Sequence, residues 1–198
     1  MNIKKKYLYA LAIVIVLLVA GGILSYYFFL KEMPKKAEYL TPEGLMKLPS
    51  RENVKYSESP YEENGNYTIT RITYESAGAV IYGLLLEPID KGRLPGVVLL
   101  PGAGVDKVSE LPVARAIAAL GYAVLVIDQR GVGETGGSMP SIEEDFLNFQ
   151  NGIVAKWHLP VIDALVGADV LSTRDAVDSG KIILMGESMG GRVAMIAG

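Results

Sequence analysis

The chain has 198 residues, half of them hydrophobic, and a formal net charge of −3. That is enough for one ordinary domain plus an additional element, and the mild acidity, without a basic patch or an interleaved aromatic platform, gives no footing for nucleic acid. Cysteine is absent, which excludes a lipid-modified cysteine anchor and leaves the redox compartment open.

Residues 1–6 form a short basic tail with Lys4, Lys5 and Lys6. From Tyr7 to Leu30 follows "YLYALAIVIVLLVAGGILSYYFFL", without a single charge. As a helix it would measure roughly 36 Å at about 1.5 Å per residue, against roughly 30 Å of hydrocarbon. Tyr7, Tyr9, Tyr26 and Tyr27 fall near its two ends, where aromatic belts lie. A cleaved secretory leader with Ala20-Gly21-Gly22 as its small-residue site is the competing reading, but the apolar run continues to Leu30, past a normal leader core. The expectation is a single-pass transmembrane helix over 7–30 with the lipid bilayer as partner. Lys31, Lys35 and Lys36 beyond the span are partly offset by Glu32 and Glu38, so the charge bias only slightly favours an extracytoplasmic body.

Residues 31–64 are polar and rich in Pro, Glu and Lys, and read as a stalk or linker ending in a short segment on the body. The body, 65–198, alternates strand and helix signals. Tyr67–Ser76 alternates with period two and is rich in β-branched residues, and Ala79–Pro88 follows after Gly78, which predicts a hairpin. "GVVLLPGAG" (96–104) is a continuous apolar run ending in a Gly-Pro loop, as expected of a strand covered on both faces. Ser109 is the expected cap of a helix to Leu120, with Pro112 in its first turn and Gly121 ending it. Tyr122–Asp128 reads as a buried strand and 160–175 as a helix with Val161, Ile162, Leu165 and Leu171 along one side. Lys181–Ser188 then reads as a third buried strand, with a helix from Met189. Two antiparallel strands followed by β-α-β-α-β predict an α/β fold with a mixed, mostly parallel sheet.

The chemistry concentrates in three stretches. "GESMGG" (186–191) contains G-x-S-x-G between an apolar strand, "IILM", and a small-residue helix, the setting in which a serine is presented as a nucleophile. A sharp strand-to-helix turn at Ser188 requires Gly186 and Gly190 to lack Cβ atoms, and it puts the hydroxyl at a helix N-terminus where negative charge is favoured. The Met189 amide would then face the oxyanion. "LLPGAG" (99–104) offers a loop amide, Ala103 N–H, as second donor. In "DQRGVGET" (128–135), Asp128 and Arg130 are read as holding the loop by hydrogen bonds and an ion pair with each other.

In this order and spacing the three stretches resemble the α/β-hydrolase family, specifically its esterase, lysophospholipase, dienelactone-hydrolase and prolyl-oligopeptidase-like branches. The resemblance covers roughly 67–198. It implies a serine hydrolase acting on a small-molecule ester or on a peptide, with Ser188 as nucleophile and Met189 and Ala103 lining the oxyanion hole. Pro101 departs from the histidine many members carry there, a change backbone donors survive. The resemblance also implies an acid and a histidine after the nucleophile, and "MGGRVAMIAG" contains neither. The expectation is therefore a catalytic unit truncated after the elbow. It would need a complementary C-terminal hydrolase fragment, or else be a non-catalytic, membrane-tethered interaction module. His158, the single histidine, is the remaining candidate base; its place before a helix fits equally a partly exposed loop residue beside Trp157. Asp163 and Asp169 read as helix-surface carboxylates or local caps. Neither a cofactor nor a metal is expected, since no ligand cluster and no phosphate-binding Lys-Ser/Thr loop is present.

Overall fold

The computed structural model describes residues 3–32, 54–63, 65–89, 92–153 and 155–198. Helix α1 (Ile3–Glu32) comes first, with side chains described over 13–27, all of them exposed. That window is shorter than the roughly 20 residues a span needs, and among the described residues no helix is long and apolar enough to cross a membrane. The transmembrane helix expected over 7–30 is thus not shown. Most of the expected stalk lies outside the described residues.

The body is one six-stranded sheet in the order β1-β2-β3-β5-β4-β6. Its strands are β1 (Tyr56–Glu63), β2 (Tyr67–Ser76), β3 (Ala79–Pro88), β4 (Leu94–Leu100), β5 (Ala123–Ile127) and β6 (Val177–Gly186). β1, β2, β3 and β5 are joined antiparallel, whereas β5/β4 and β4/β6 are parallel. The sheet is mixed as expected, but it is not mostly parallel.

The difference comes from β1, which lies inside the stretch read as linker. Seven of its eight residues are exposed, so it shows no apolar alternation, and it contains Pro60 at a register shift against β2. Proline is tolerated there because an edge strand has an outer N–H side with nothing to pair. Arg174 ties this strand to the body, reaching Glu58 at 2.5 Å and Glu87 at 2.7 Å.

Alternation along the central strands divides the core between two faces. Leu94, Val98, Leu100, Leu125 and Ile127 face one side with α4 (Leu159–Ser172) and α5 (Ser188–Ala197). Val97, Leu99, Val124 and Val126 face the other with α2 (Leu111–Ala119). Buried positions surround α4 on nearly all sides rather than along one stripe, as a helix wedged between a sheet and a second helix requires. β6 is the edge strand. Ile182 and Leu184 pack on the α4–α5 side, while Ile183 and Met185, on the α2 side, are 46% and 45% exposed.

One local expectation changes, and one helix is added. The residue preceding α2 is Glu110, helical itself and without a side-chain cap; the turn before it is closed by Asp106 Oδ1, which accepts the Ser109 amide at 2.7 Å. A further helix, α3 (Ile142–Gln150), stands in the 136–157 segment. Its start is a Ser141 cap accepting the Glu144 amide at 3.1 Å, followed by three acidic residues in the first turn, which suits the positive end of a helix.

Candidate active site

Ser188 begins α5 at the C-terminal end of β6, with φ of +48°. A non-glycine residue in that region costs about 1–3 kcal/mol and is held only where its surroundings over-determine it. The surroundings here are backbone. A Cβ on Gly190 would lie 2.0 Å from the Leu100 carbonyl oxygen and 2.6 Å from that of Pro101; one on Gly186 would lie 2.6 Å from the Leu100 oxygen and from the Gly190 carbonyl carbon. The start of α5 is therefore seated directly on the end of β4, and the Glu187 amide donates to Leu100 O at 3.3 Å. Ser188 is exposed, and among the described residues its hydroxyl meets no hydrogen-bond partner.

The loop after β4 lies against this turn. Gly102 is buried beside the Glu187 side chain, whereas Ala103 is exposed and its amide has no acceptor among the described residues. Met189 lies in the first turn of α5, where an amide has no partner within its own helix. Behind the loop, burial, reinforced by nearby Glu187, pushes the Glu110 carboxyl above its ordinary value.

The loop after β5 is built from ion pairs, but not the expected one. Asp128, fully buried, accepts the Lys107 ammonium at 2.5 Å, the Lys107 amide at 2.7 Å and the Glu134 amide at 2.8 Å. Gly133 is required there at φ +56°, since a Cβ would fall 2.2 Å from Asp128 Oδ2. Arg130 instead pairs with Asp163, its Nε and Nη2 reaching the two carboxylate oxygens at 2.7 and 2.8 Å. Asp163 is thus buried and paired rather than a helix-surface carboxylate, and burial holds its carboxyl above the usual value against the pull of Arg130. The two oppositely charged residues of the motif each found a partner on another element, which one local sequence could not disclose.

His158 is half-buried at the residue preceding α4. Since Arg130 follows β5 and grips Asp163 near the start of α4, His158 stands at the same end of the sheet as Ser188. No hydrogen bond joins the two among the described residues. Burial lowers its pKa, opposed by Asp145 and assisted by Arg130, so the ring is neutral at pH 7. Trp157 stacks under Arg192, 4.6 Å from the guanidinium to the ring centre. Together with Ile142, Phe146, Phe149 and Ile196 they line an open groove of about 300 Å³. Among the described residues no cluster of carboxylates and histidine that could hold a metal is present.

Comparison with known proteins places this geometry. The profile of the alpha/beta hydrolase fold matches residues 95–197, just over half of the chain. The chain belongs to the alpha/beta hydrolase family. Palmitoyl-protein thioesterase ABHD10, mitochondrial, of Mus musculus is 30% identical over 103 residues, 51% of this chain but 28% of that protein. This chain therefore aligns with less than a third of that curated relative. Among solved structures, an acetyl xylan esterase from Paenibacillus sp. R4 superposes with a TM-score of 0.60 at 21% identity, covering 74% of this chain and 50% of the esterase. Acetyl xylan esterase 1 from Thermoanaerobacterium sp. JW/SL YS485 gives 0.61 at 16%, covering 73% and 48%. At these identities the structural matches carry the fold alone.

Proposed function

We propose that the chain is the nucleophile-bearing part of a serine hydrolase of the esterase or thioesterase type. Ser188 attacks an acyl carbonyl, an acyl-enzyme forms, and the Met189 and Ala103 amides stabilise the oxyanion. The observation that carries this is the strained, exposed Ser188 at a strand-to-helix turn closed by two glycines that admit no Cβ. The alpha/beta hydrolase fold and the thioesterase relative support a serine hydrolase-type function at this level. The groove beside α5 favours an apolar acyl group, because Arg192 and Ile196 follow Ser188 at four-residue intervals along one helix face.

The same reading assigns the uncharged run 7–30 to a bilayer, with the body outside the cytoplasm. Its support is that α1 is helical over Ile3–Glu32 and that all its described apolar side chains are exposed rather than packed on the body. The base and acid are assigned to a complementary C-terminal hydrolase segment, since residues 189–198 hold no Asp, Glu or His and in this fold both follow the nucleophile.

The test is labelling of the full chain with a fluorophosphonate probe, alone and with any polypeptide encoded immediately downstream, mapped to Ser188 and compared with Ser188→Ala. Absence of label in both settings overturns the proposal. A second reading, a non-catalytic interaction module, is favoured by the uncovered edge of β6 with exposed Ile183 and Met185, since an apolar edge is a pairing surface. It requires strong binding of a hydrophobic dye to the folded chain. A sharp two-state melt without dye binding removes it.

A further inference from the structure

Gln129 has a role that neither the nucleophile motif nor the ion pairs use. It is 4% exposed, and its Nε2 donates across the sheet to the Pro101 carbonyl. That orientation is fixed by chemistry, because a carbonyl oxygen only accepts and so the NH2 end must face it. Proline has no N–H, so the carbonyl is the one backbone handle at this position. The same carbonyl borders the elbow, 2.6 Å from where a Gly190 Cβ would stand.

The loop's other end is held by the neighbouring residue, Asp128, which accepts the Lys107 amide at 2.7 Å. Two consecutive residues leaving β5 thus grip the two ends of the 101–107 loop. Between those grips the loop carries one internal backbone bond, Val105 N–H to Gly102 O at 3.2 Å. Where the Ala103 amide points therefore depends on the anchors. Gln129 also keeps its Oε1 buried with no hydrogen-bond partner among the described residues. An unsatisfied buried acceptor is destabilising, and an apolar side chain of similar length would avoid that cost. Its carboxamide is explained by the donor end.

We infer that Gln129 is a positioning residue for the oxyanion loop, fixing Pro101 so that the Ala103 amide is aimed beside Ser188. This rests on the reading of Ser188 as nucleophile. It goes beyond that reading by giving a role to a residue that touches neither substrate nor serine.

The experiment uses the full chain with any downstream polypeptide and two variants. Gln129→Met removes the donor at similar length; Gln129→Glu keeps the shape and donates only while protonated. Three quantities are read: the second-order rate of fluorophosphonate labelling at Ser188, hydrogen exchange of the 102–106 amides, and the melting midpoint. The Met variant is expected to label about ten- to a hundredfold more slowly, the scale set by sub-ångström to one-ångström misplacement. Its 102–106 amides exchange faster. The ratio of Gln129→Glu to wild-type labelling falls as pH rises, because the carboxylate cannot donate to Pro101. A Met variant with wild-type labelling and unchanged exchange overturns the inference. If the Met variant does not fold, a pH-independent ratio for Gln129→Glu overturns it. If the wild type does not label, the reading of Ser188 fails, and unchanged exchange in the variants separately rejects the anchor.

Discussion

Replacing Lys107 by Met tests whether the loops around Ser188 are held by charge. Lys107 is 3% exposed and Asp128 0%; the ammonium lies 2.5 Å from Asp128 Oδ2 and 2.7 Å from the half-exposed Glu134. Met fills a similar volume, so packing is retained and the charge alone is removed. Breaking a buried pair from one side costs about 3–5 kcal/mol, because the partner stays buried and uncompensated. Asp128 keeps two amide donors, from Lys107 and Glu134, which places the expected loss near the lower end, about 3 kcal/mol. Against a total stability of about 5–15 kcal/mol this is a large fraction. The assay is equilibrium urea unfolding at pH 7, with the midpoint falling at unchanged slope. Adding Asp128→Asn to the variant removes the stranded charge and recovers part of the loss. The pH dependence has a definite sign. Burial pulls the Lys107 pKa down, but hydrogen bonds to Asp128 and Glu134 outweigh it and leave the group above its ordinary 10.5. Its stabilisation is therefore complete below 10.5 and is lost as pH rises through the folded value. The gap between wild type and variant should stay constant from neutral pH to about 10 and narrow above. A loss under about 1 kcal/mol at pH 7 refutes the reasoning.

Three further outcomes follow from the same geometry. Gly190→Ala sets a methyl 2.0 Å from a backbone oxygen that no rotamer can clear, so a loss of about 3 kcal/mol, the upper end for overpacking, is expected in the same unfolding assay, with loss of Ser188 labelling. Ser188→Gly relieves the +48° backbone and should raise stability by about 1 kcal/mol while abolishing labelling; a destabilised variant would show that the turn is not strained. His158, with a pKa lowered chiefly by burial, contributes stability that is complete above its ordinary 6.5 and is lost as pH falls below it. His158→Gln should flatten the decline in melting midpoint between pH 7 and 5, and an unchanged slope rejects this.

What sequence disclosed depends on how local the determinant is. β2 and β3 were predicted to the residue, because alternation and a Gly-containing link are properties of one short segment. The elbow was equally legible, since its glycines are demanded by contacts within a few residues and by one neighbouring strand. β1 was not, because nothing in Tyr56–Glu63 is apolar enough to announce a strand, and its pairing is supplied by β2 and by Arg174 from far along the chain. α3 carried a readable signal, Ser141 followed three residues later by Glu144, but its apolar side lines a groove instead of the core. The partners of Asp128, Arg130 and Gln129 lie 21, 33 and 28 residues away. Spacing alone cannot choose among the lysines, aspartates and carbonyls available at such distances.

Those three partnerships give the "DQRGVGET" stretch its meaning. Its residues hold two different elements: Asp128 and Gln129 grip the two ends of the 101–107 loop, and Arg130 grips α4 at Asp163, just past its first turn. Gly133 lets the chain fold back over Asp128 and close that anchor. A strained serine is retained only where its neighbours cannot relax, and here the neighbours that could relax are loops. The order of the site thus resides in a motif whose side chains form no bond to Ser188 among the described residues, and a substitution at Gln129, which breaks no ion pair, should change how fast Ser188 is labelled before it changes whether the sheet folds.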